Sequence, residues 1–243
     1  MHDNKFLSKT IIAISLILLH RATGDICKFN IKLIQTLHSE GFHRNITYEI
    51  TFGTPEDDGN EYEGCSVGLE QILPAGLYAN PDELEELRYK TPTVFKDKVD
   101  IEGAAEISTP ITVHLLGSVY KHRVLLSLPV HARYHKAVAG GGSARVNIPT
   151  PKFFINCGPK KLEKCVEVSS TNSFCPRSQN KCFWKHVPIT VGEGLSWYVP
   201  RGDTNHHNLA MFGTAVVIAF GSLYLLKQIH FYNIRQHRAK KED

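Results

Sequence analysis

Apolar residues in this chain follow two different rules. From Phe29 to Val199 they recur mostly at every second position, and from Leu209 to Leu226 they run on without a single charge. Period two with β-branched and aromatic residues predicts strands with one buried face. Phe29, Ile31 and Leu33 form the first such set, and Ile46, Tyr48, Ile50 and Phe52, separated by Thr47, Glu49 and Thr51, form the second. Cys65, Val67 and Leu69 begin a third, and Ile107, Ile111, Val113 and Leu115 mark another. The cleanest alternation puts Val124, Leu126, Leu128, Val130, Ala132 and Tyr134 on one face and Leu125, Ser127, Pro129, His131, Arg133 and His135 on the other. Pro129 cannot donate to a ladder, which predicts an edge strand or a bulge there, with basic groups outward. Lys152–Asn156, His186–Val191 and Leu195–Val199 supply the remaining strands.

One helix interrupts them. Asn80 offers an N-cap, Pro81 the first helical position, and Asp82 and Glu83 the acids of a first turn, which predicts about two turns ending near Arg88 with Leu84 and Leu87 against the sheet. Residues 53–64, rich in Asp, Glu, Pro and Gly, and Ala139–Ser143, with three glycines in a row, read as loops. The latter lacks the Gly-Lys-Ser/Thr of a phosphate-binding loop. Many short strands with one small helix predict a mainly β, antiparallel sandwich-like domain.

The unbroken run Leu209–Leu226 covers roughly 27 Å as a helix, enough for one bilayer span. Lys227, Arg235, Arg238, Lys240 and Lys241 follow it, so the positive-inside rule places residues 227–243 as a cytoplasmic tail. Lys5 and Lys9 precede the short apolar run Thr10–Leu19, and Ala22-Thr-Gly24 offers a cleavage site, so residues 1–24 read as a signal peptide. Residues 25–208 are then a lumenal domain of a single-pass type I membrane protein. Lys240 and Lys241, four and three residues from the end, resemble a dilysine signal for retrieval to the endoplasmic reticulum (ER).

The formal charge of +4 suggests nucleic acid only until it is divided by compartment. Residues 25–208 carry 20 Lys and Arg against 21 Asp and Glu, so the excess belongs to the ends and no nucleic-acid partner is expected. All six cysteines, Cys27, Cys65, Cys157, Cys165, Cys175 and Cys182, fall in the lumenal part, an even count that predicts three disulfides in an oxidising compartment. Local closure is entropically cheaper, which favours Cys27 with Cys65 and the later four among themselves. Asn45-Ile-Thr47 is an N-glycosylation acceptor whose asparagine lies on a polar strand face.

Candidate chemistry is sparse. His131 and His135 lie about 13 Å apart along a strand and cannot share an ion, and the cysteine spacings lack the short pair of a zinc site. No metal or other cofactor is expected. There is no Gly-x-Ser-x-Gly context, and the acidic pair Asp57-Asp58 sits in a loop. Arg201-Gly-Asp203 matches an adhesion tripeptide but lies a few residues from the span. The expectation is a non-catalytic protein. An ER-to-Golgi cargo receptor or chaperone-like lumenal adaptor would share the topology, but a cargo receptor should carry a coiled-coil heptad ahead of the span, where this chain has turn chemistry.

Three segments resemble a known family: Gly41-Phe-His-Arg44, Leu73-Pro-Ala-Gly-Leu-Tyr-Ala-Asn-Pro-Asp-Glu-Leu84 and Leu128-Pro-Val-His-Ala-Arg-Tyr-His135. They are similar to those of the phosphatidylinositol-glycan biosynthesis class X family, which includes the yeast protein Pbn1. The likeness extends over nearly the whole lumenal part, to cysteines near all six positions and to Val199-Pro-x-Gly202, which makes the Arg-Gly-Asp a variant of a family turn. The Gly140 run and the dilysine end depart from it. The resemblance implies a non-catalytic subunit that stabilises glycosylphosphatidylinositol (GPI) mannosyltransferase I, whose multi-span class M subunit adds the first mannose. On that basis His43, Arg44, Pro74, Gly76, Tyr78, Pro129, His131, Arg133, Tyr134 and His135 are expected at the partner surface. Gly213, Ala215, Ala219 and Gly221 offer a second route, through close helix contact in the bilayer.

Overall fold

A computed structural model describes residues 29–53, 62–95, 97–158, 170–171, 174 and 182–242. The signal peptide, Cys27, Cys165 and Cys175 lie outside them. One compact unit holds the chain up to Tyr134 together with Arg145–Val199, and a second holds His135–Ala144 and Pro200–Asp243.

In the first unit the alternating segments become strands as their periodicity requires. β1 (Ile31–His38), β2 (His43–Phe52), β3 (Ser66–Leu73), β4 (Leu77–Tyr78), β5 (Thr93–Phe95), β6 (Ile111–Ser118), β7 (Arg123–Ala132), β8 (Ser143–Ile148), β9 (Lys152–Asn156), β10 (Ser170–Thr171), β11 (Trp184–His186), β12 (Thr190–Val191) and β13 (Leu195–Pro200) follow in order. They build a five-stranded sheet, β12-β1-β2-β7-β4, a six-stranded sheet, β10-β11-β9-β3-β6-β5, and the pair β13-β8. Every pairing in the two large sheets is antiparallel except β1 with β12. Ile31, Leu33, Ile46, Ile50, Leu126, Leu128 and Val130 of the first sheet share one hydrophobic core with Val67, Leu69, Val113, Leu115, Phe153 and Ile155 of the second. Tyr48 crosses that core, its hydroxyl donating to Gln71 Oε1 at 2.9 Å, while Gln71 Nε2 donates to the Ile72 and Pro149 carbonyls. Full burial raises the Tyr48 phenol, which stays a neutral donor.

A smaller cluster packs on the other face of the six-stranded sheet. Phe174 is stacked between His114 (4.1 Å) and Trp184 (5.1 Å), and Trp184 Nε1 donates to the Phe174 carbonyl at 2.6 Å. Gly68 on β3 makes room for it, since a Cβ there would lie 2.6 and 2.8 Å from the Phe174 ring. A ring held on both faces cannot retreat, so Gly68→Ala is expected to destabilise the unit by about 1–3 kcal/mol, measured by denaturant unfolding. On the same sheet Glu70 accepts from Lys152 Nζ at 2.7 Å and lies 3.3 Å from His114 Nε2. Partial burial pushes its carboxyl up, but those two hydrogen bonds and their charges outweigh burial and hold it below the ordinary range. A lowered carboxyl stabilises the fold above its unfolded value near 4.5 and loses that contribution as pH falls through the folded value. The stability gap between the native protein and Glu70→Gln should therefore be constant at neutral pH and close as pH drops below about 4.5.

Helix α1 (Pro81–Glu86) starts as its sequence dictates, with Asn80 extended at the N-cap and its side chain accepting from the Asp82 N–H. Leu84 is buried and Leu87 half-buried. Three expectations change. Ile107 lies outside β6, 79 % exposed, and the alternation around β7 stops at Ala132, so that Tyr134 is also 79 % exposed. β7 is flanked by β2 along its length but by β4 only at His131 and Ala132, so the side of Pro129 away from β2 is a strand edge, as its missing N–H requires. Cys65 bonds to Cys157, 92 residues away, and not to Cys27. The reason is register: Ser66 pairs with Asn156 across β3 and β9, which sets the two cysteines opposite each other with Cα atoms 4.3 Å apart. Cys182 is also disulfide-bonded.

In the second unit Gly140, Gly141 and Gly142 have φ of +82°, +66° and +100°, a run that side chains disfavour. This loop is bonded to the segment carrying the Arg-Gly-Asp: Gly140 N–H donates to Asp203 Oδ1, Arg201 N–H to the Gly142 carbonyl, and Val138 N–H to the Gly202 carbonyl. Asp203 also caps the following turn through the Asn205 N–H, so it serves as a structural cap. Helix α2 (His207–Glu242) continues past Lys227 without a break. Its part within Thr204–Arg235 is long and apolar enough to cross a membrane.

Candidate functional site

β2, β7, β4 and α1 bring most of the partner-surface candidates together. Register places His43 beside His131, and His131 beside Tyr78. The side chains form one stack across three strands. His43 and His131 lie parallel at 4.3 Å, Tyr78 follows at 5.0 Å, and the Arg133 guanidinium covers the Tyr78 ring at 4.8 Å. The stack runs from an exposed end at His43 to a buried end at Arg133.

The helix closes the exposed end. Glu83, three residues after its N-cap, sets Oε2 2.8 Å from His131 Nε2 and Oε1 3.1 Å from His43 Nε2. A space of about 290 Å³ opens beside them, lined by Ser39, Arg44, Asn45, Leu87, Ser127 and Pro129. Arg44 donates to the Gly41 carbonyl and lays its guanidinium over Trp197. Asn45 accepts from the Ser127 hydroxyl at 2.9 Å.

At the buried end Arg133 is only 3 % exposed, so it is not the outward basic group the alternation suggested. Its guanidinium donates to the carbonyls of Gly103 and Asp100, and its own N–H to the Gly76 carbonyl. Burial lowers its pKa, against a smaller opposing pull from Asp100 and Tyr78. Arg133 is thus a buried fastener for the 100–103 segment. Pro129 is buried as well and pairs with Asn45. Ala132 N–H bonds to Phe42 on the β2 side, whereas Arg133 and Ser127 N–H groups bond on the other side, to Gly76 and Thr91. Alternation therefore aims position 129 away from β2, so the missing N–H removes no bond from that ladder. Gly76 is buried, Pro74 borders a separate groove near Ile72 and Ile148, and His135 belongs to the second unit. Lys240 lies in α2, as does Lys241.

The histidine pair was invisible to reasoning within one strand, because its members come from neighbouring strands. Pairing the Gly41-Phe-His-Arg44 strand with the Leu128–His135 strand is the signal that would have found it. Both segments fall within the part of the chain, residues 39–230, that matches the family model described as PIG-X / PBN1.

The chain belongs to the PIG-X / PBN1 family.

Relatives in the family agree over most of its length. A human protein named GPI alpha-1,4-mannosyltransferase I, stabilizing subunit, is 27 % identical over 213 residues, covering 82 % of this chain and 80 % of the human one. The rat protein of the same name is 25 % identical over 209 residues, 82 % of each chain. Protein pbn1 of Schizosaccharomyces pombe is 25 % identical over 198 residues, 67 % of this chain and 57 % of its own. The PIG-X / PBN1 match spans β2, α1, β7 and both Cys65 and Cys157, so the stack and the disulfide lie within the matched part of the chain.

Proposed function

We propose that this chain is the non-catalytic stabilising subunit of GPI mannosyltransferase I in the ER membrane. The observation that carries this reading is the family match over residues 39–230 together with the name its mammalian relatives bear. Residues 1–24 act as signal peptide, 25–208 form the lumenal domain, Leu209–Leu226 cross the bilayer and 227–243 form the cytoplasmic tail, with Lys240 and Lys241 as the retrieval signal. The partner is the multi-span class M subunit, which carries the mannosyl transfer.

Exposed apolar side chains favour one contact surface. Tyr134 and Ile107, both 79 % exposed, stand on adjoining backbone where the Ala105 N–H donates to the Tyr134 carbonyl, and Phe42 packs against the Tyr134 ring at 5.5 Å. Aromatic anchors of this kind dominate protein interfaces. His43, the residue after Phe42, lies on the other face of β2, stacked on His131. Asn45 shares the His43 face, so a glycan on Asn45 stands away from the Tyr134 contact.

Deletion of the gene should lower GPI-anchored proteins at the cell surface, and the full chain should restore them. Tyr134→Ala combined with Ile107→Ser should fold but restore them poorly, with reduced co-purification of the class M subunit. Full rescue by that variant would move the contact to the span, where replacing Gly213 and Gly221 by Leu is the corresponding test.

A further inference from the structure

We infer that His43, Glu83 and His131 form a zinc-binding site that fastens α1 to β2 and β7. Their three donor atoms lie within 4.8 Å of one another, and both imidazoles present the same nitrogen, Nε2, to the same carboxylate. The separations of 2.8 and 3.1 Å from Nε2 to the carboxylate oxygens approach the edge of a tetrahedral zinc site, about 3.3 Å for bonds of 2.0–2.1 Å. Two histidines and one carboxylate are a donor set that suits Zn²⁺, neutralise half of its charge and leave a fourth position open. That position faces the space of about 290 Å³ beside the cluster, where water completes the shell.

The parallel rings make one demand. Their lone pairs point the same way and must converge on the ion. His43 supplies the movement, since its side chain is 58 % exposed and turns about its ring bond without disturbing the core. His131 is fixed between His43 and Tyr78 and serves as the anchor. Both rings then carry their proton on Nδ1, leaving Nε2 to the metal. Positive charge nearby does not oppose binding directly, because Arg44, the basic residue lining the space, is committed to the Gly41 carbonyl and the Trp197 ring. The ion would tie together three segments that are distant in sequence, adding stability that depends on free zinc.

The test uses the full chain purified in detergent, stripped with chelator and titrated with Zn²⁺ near neutral pH by calorimetry. The expected result is a single equivalent bound in the micromolar range or tighter, a rise in Tm on binding, and visible ligand-field absorption of tetrahedral type with Co²⁺. His43→Ala and Glu83→Gln should each weaken binding at least about tenfold and abolish both the Tm rise and the absorption. His43→Ala removes an exposed side chain, so an unchanged circular dichroism spectrum certifies that the loss is local. His38→Ala and the double variant of His206 and His207 to Ala should bind as the native chain does. Unaltered affinity in His43→Ala, absence of binding, or loss confined to the His206 and His207 variant overturns the proposal.

Discussion

Replacing Cys65 and Cys157 together by serine is expected to cost about 4–5 kcal/mol of stability, the largest effect of any change considered. The magnitude follows from the 92-residue separation that the bond closes, because a cross-link removes more freedom from the unfolded chain as the enclosed loop grows. The folded state adds to it: Cys65 is buried at the start of β3, and β3 pairs with β6 on one side and β9 on the other. The variant should unfold at a much lower denaturant concentration, and a reducing agent, which also opens the Cys182 bond, should lower the native midpoint at least as far. A shift below about 1 kcal/mol would mean that the strands align without the bond.

The second large effect belongs to Arg133. Replacing it by Met keeps the aliphatic stem but leaves the Gly103 and Asp100 carbonyls without their donor and the Tyr78 ring without its cation. Charged hydrogen bonds contribute roughly 1.5–3 kcal/mol each, and the stranded carbonyls add their desolvation, so a loss of about 3–5 kcal/mol is expected. The loss should be partly local. The 97–108 segment, released from its fastener, should become a preferred protease site while the cores of the two sheets still fold. Arg133→Lys should recover little, because one ammonium cannot match a planar fork that serves two carbonyls while covering a ring. Wild-type stability in Arg133→Met would show that the segment is held by something else.

These effects mark where sequence reasoning succeeded and where it stopped. The alternations at β1, β2 and β7 were legible because each strand buries one face against a common core, and Asn80-Pro81 announced α1 through cap chemistry that is entirely local. β4 and β5, two and three residues long, are too short for any period to show and exist only by pairing. β8 is hidden because its start, Ser143, closes a glycine run whose composition spells a loop. Loop entropy alone favours the wrong partner for Cys65, because β-pairing brings residues 92 apart to within 4.3 Å. Arg133 illustrates the same limit: the polar face of a strand turns outward only if nothing covers it, and the 100–103 segment does. The Glu83 bridge needed three elements at once, which no single-segment pattern contains.

The central claim is that this chain sustains another membrane protein. The most direct measurement is the steady-state amount and half-life of the class M subunit in cells lacking this chain, with its transcript monitored in parallel. The account predicts that the subunit is made at the normal rate but degraded faster, and that the full chain restores it. A class M subunit of normal abundance and half-life, inactive until this chain is returned, would contradict the account.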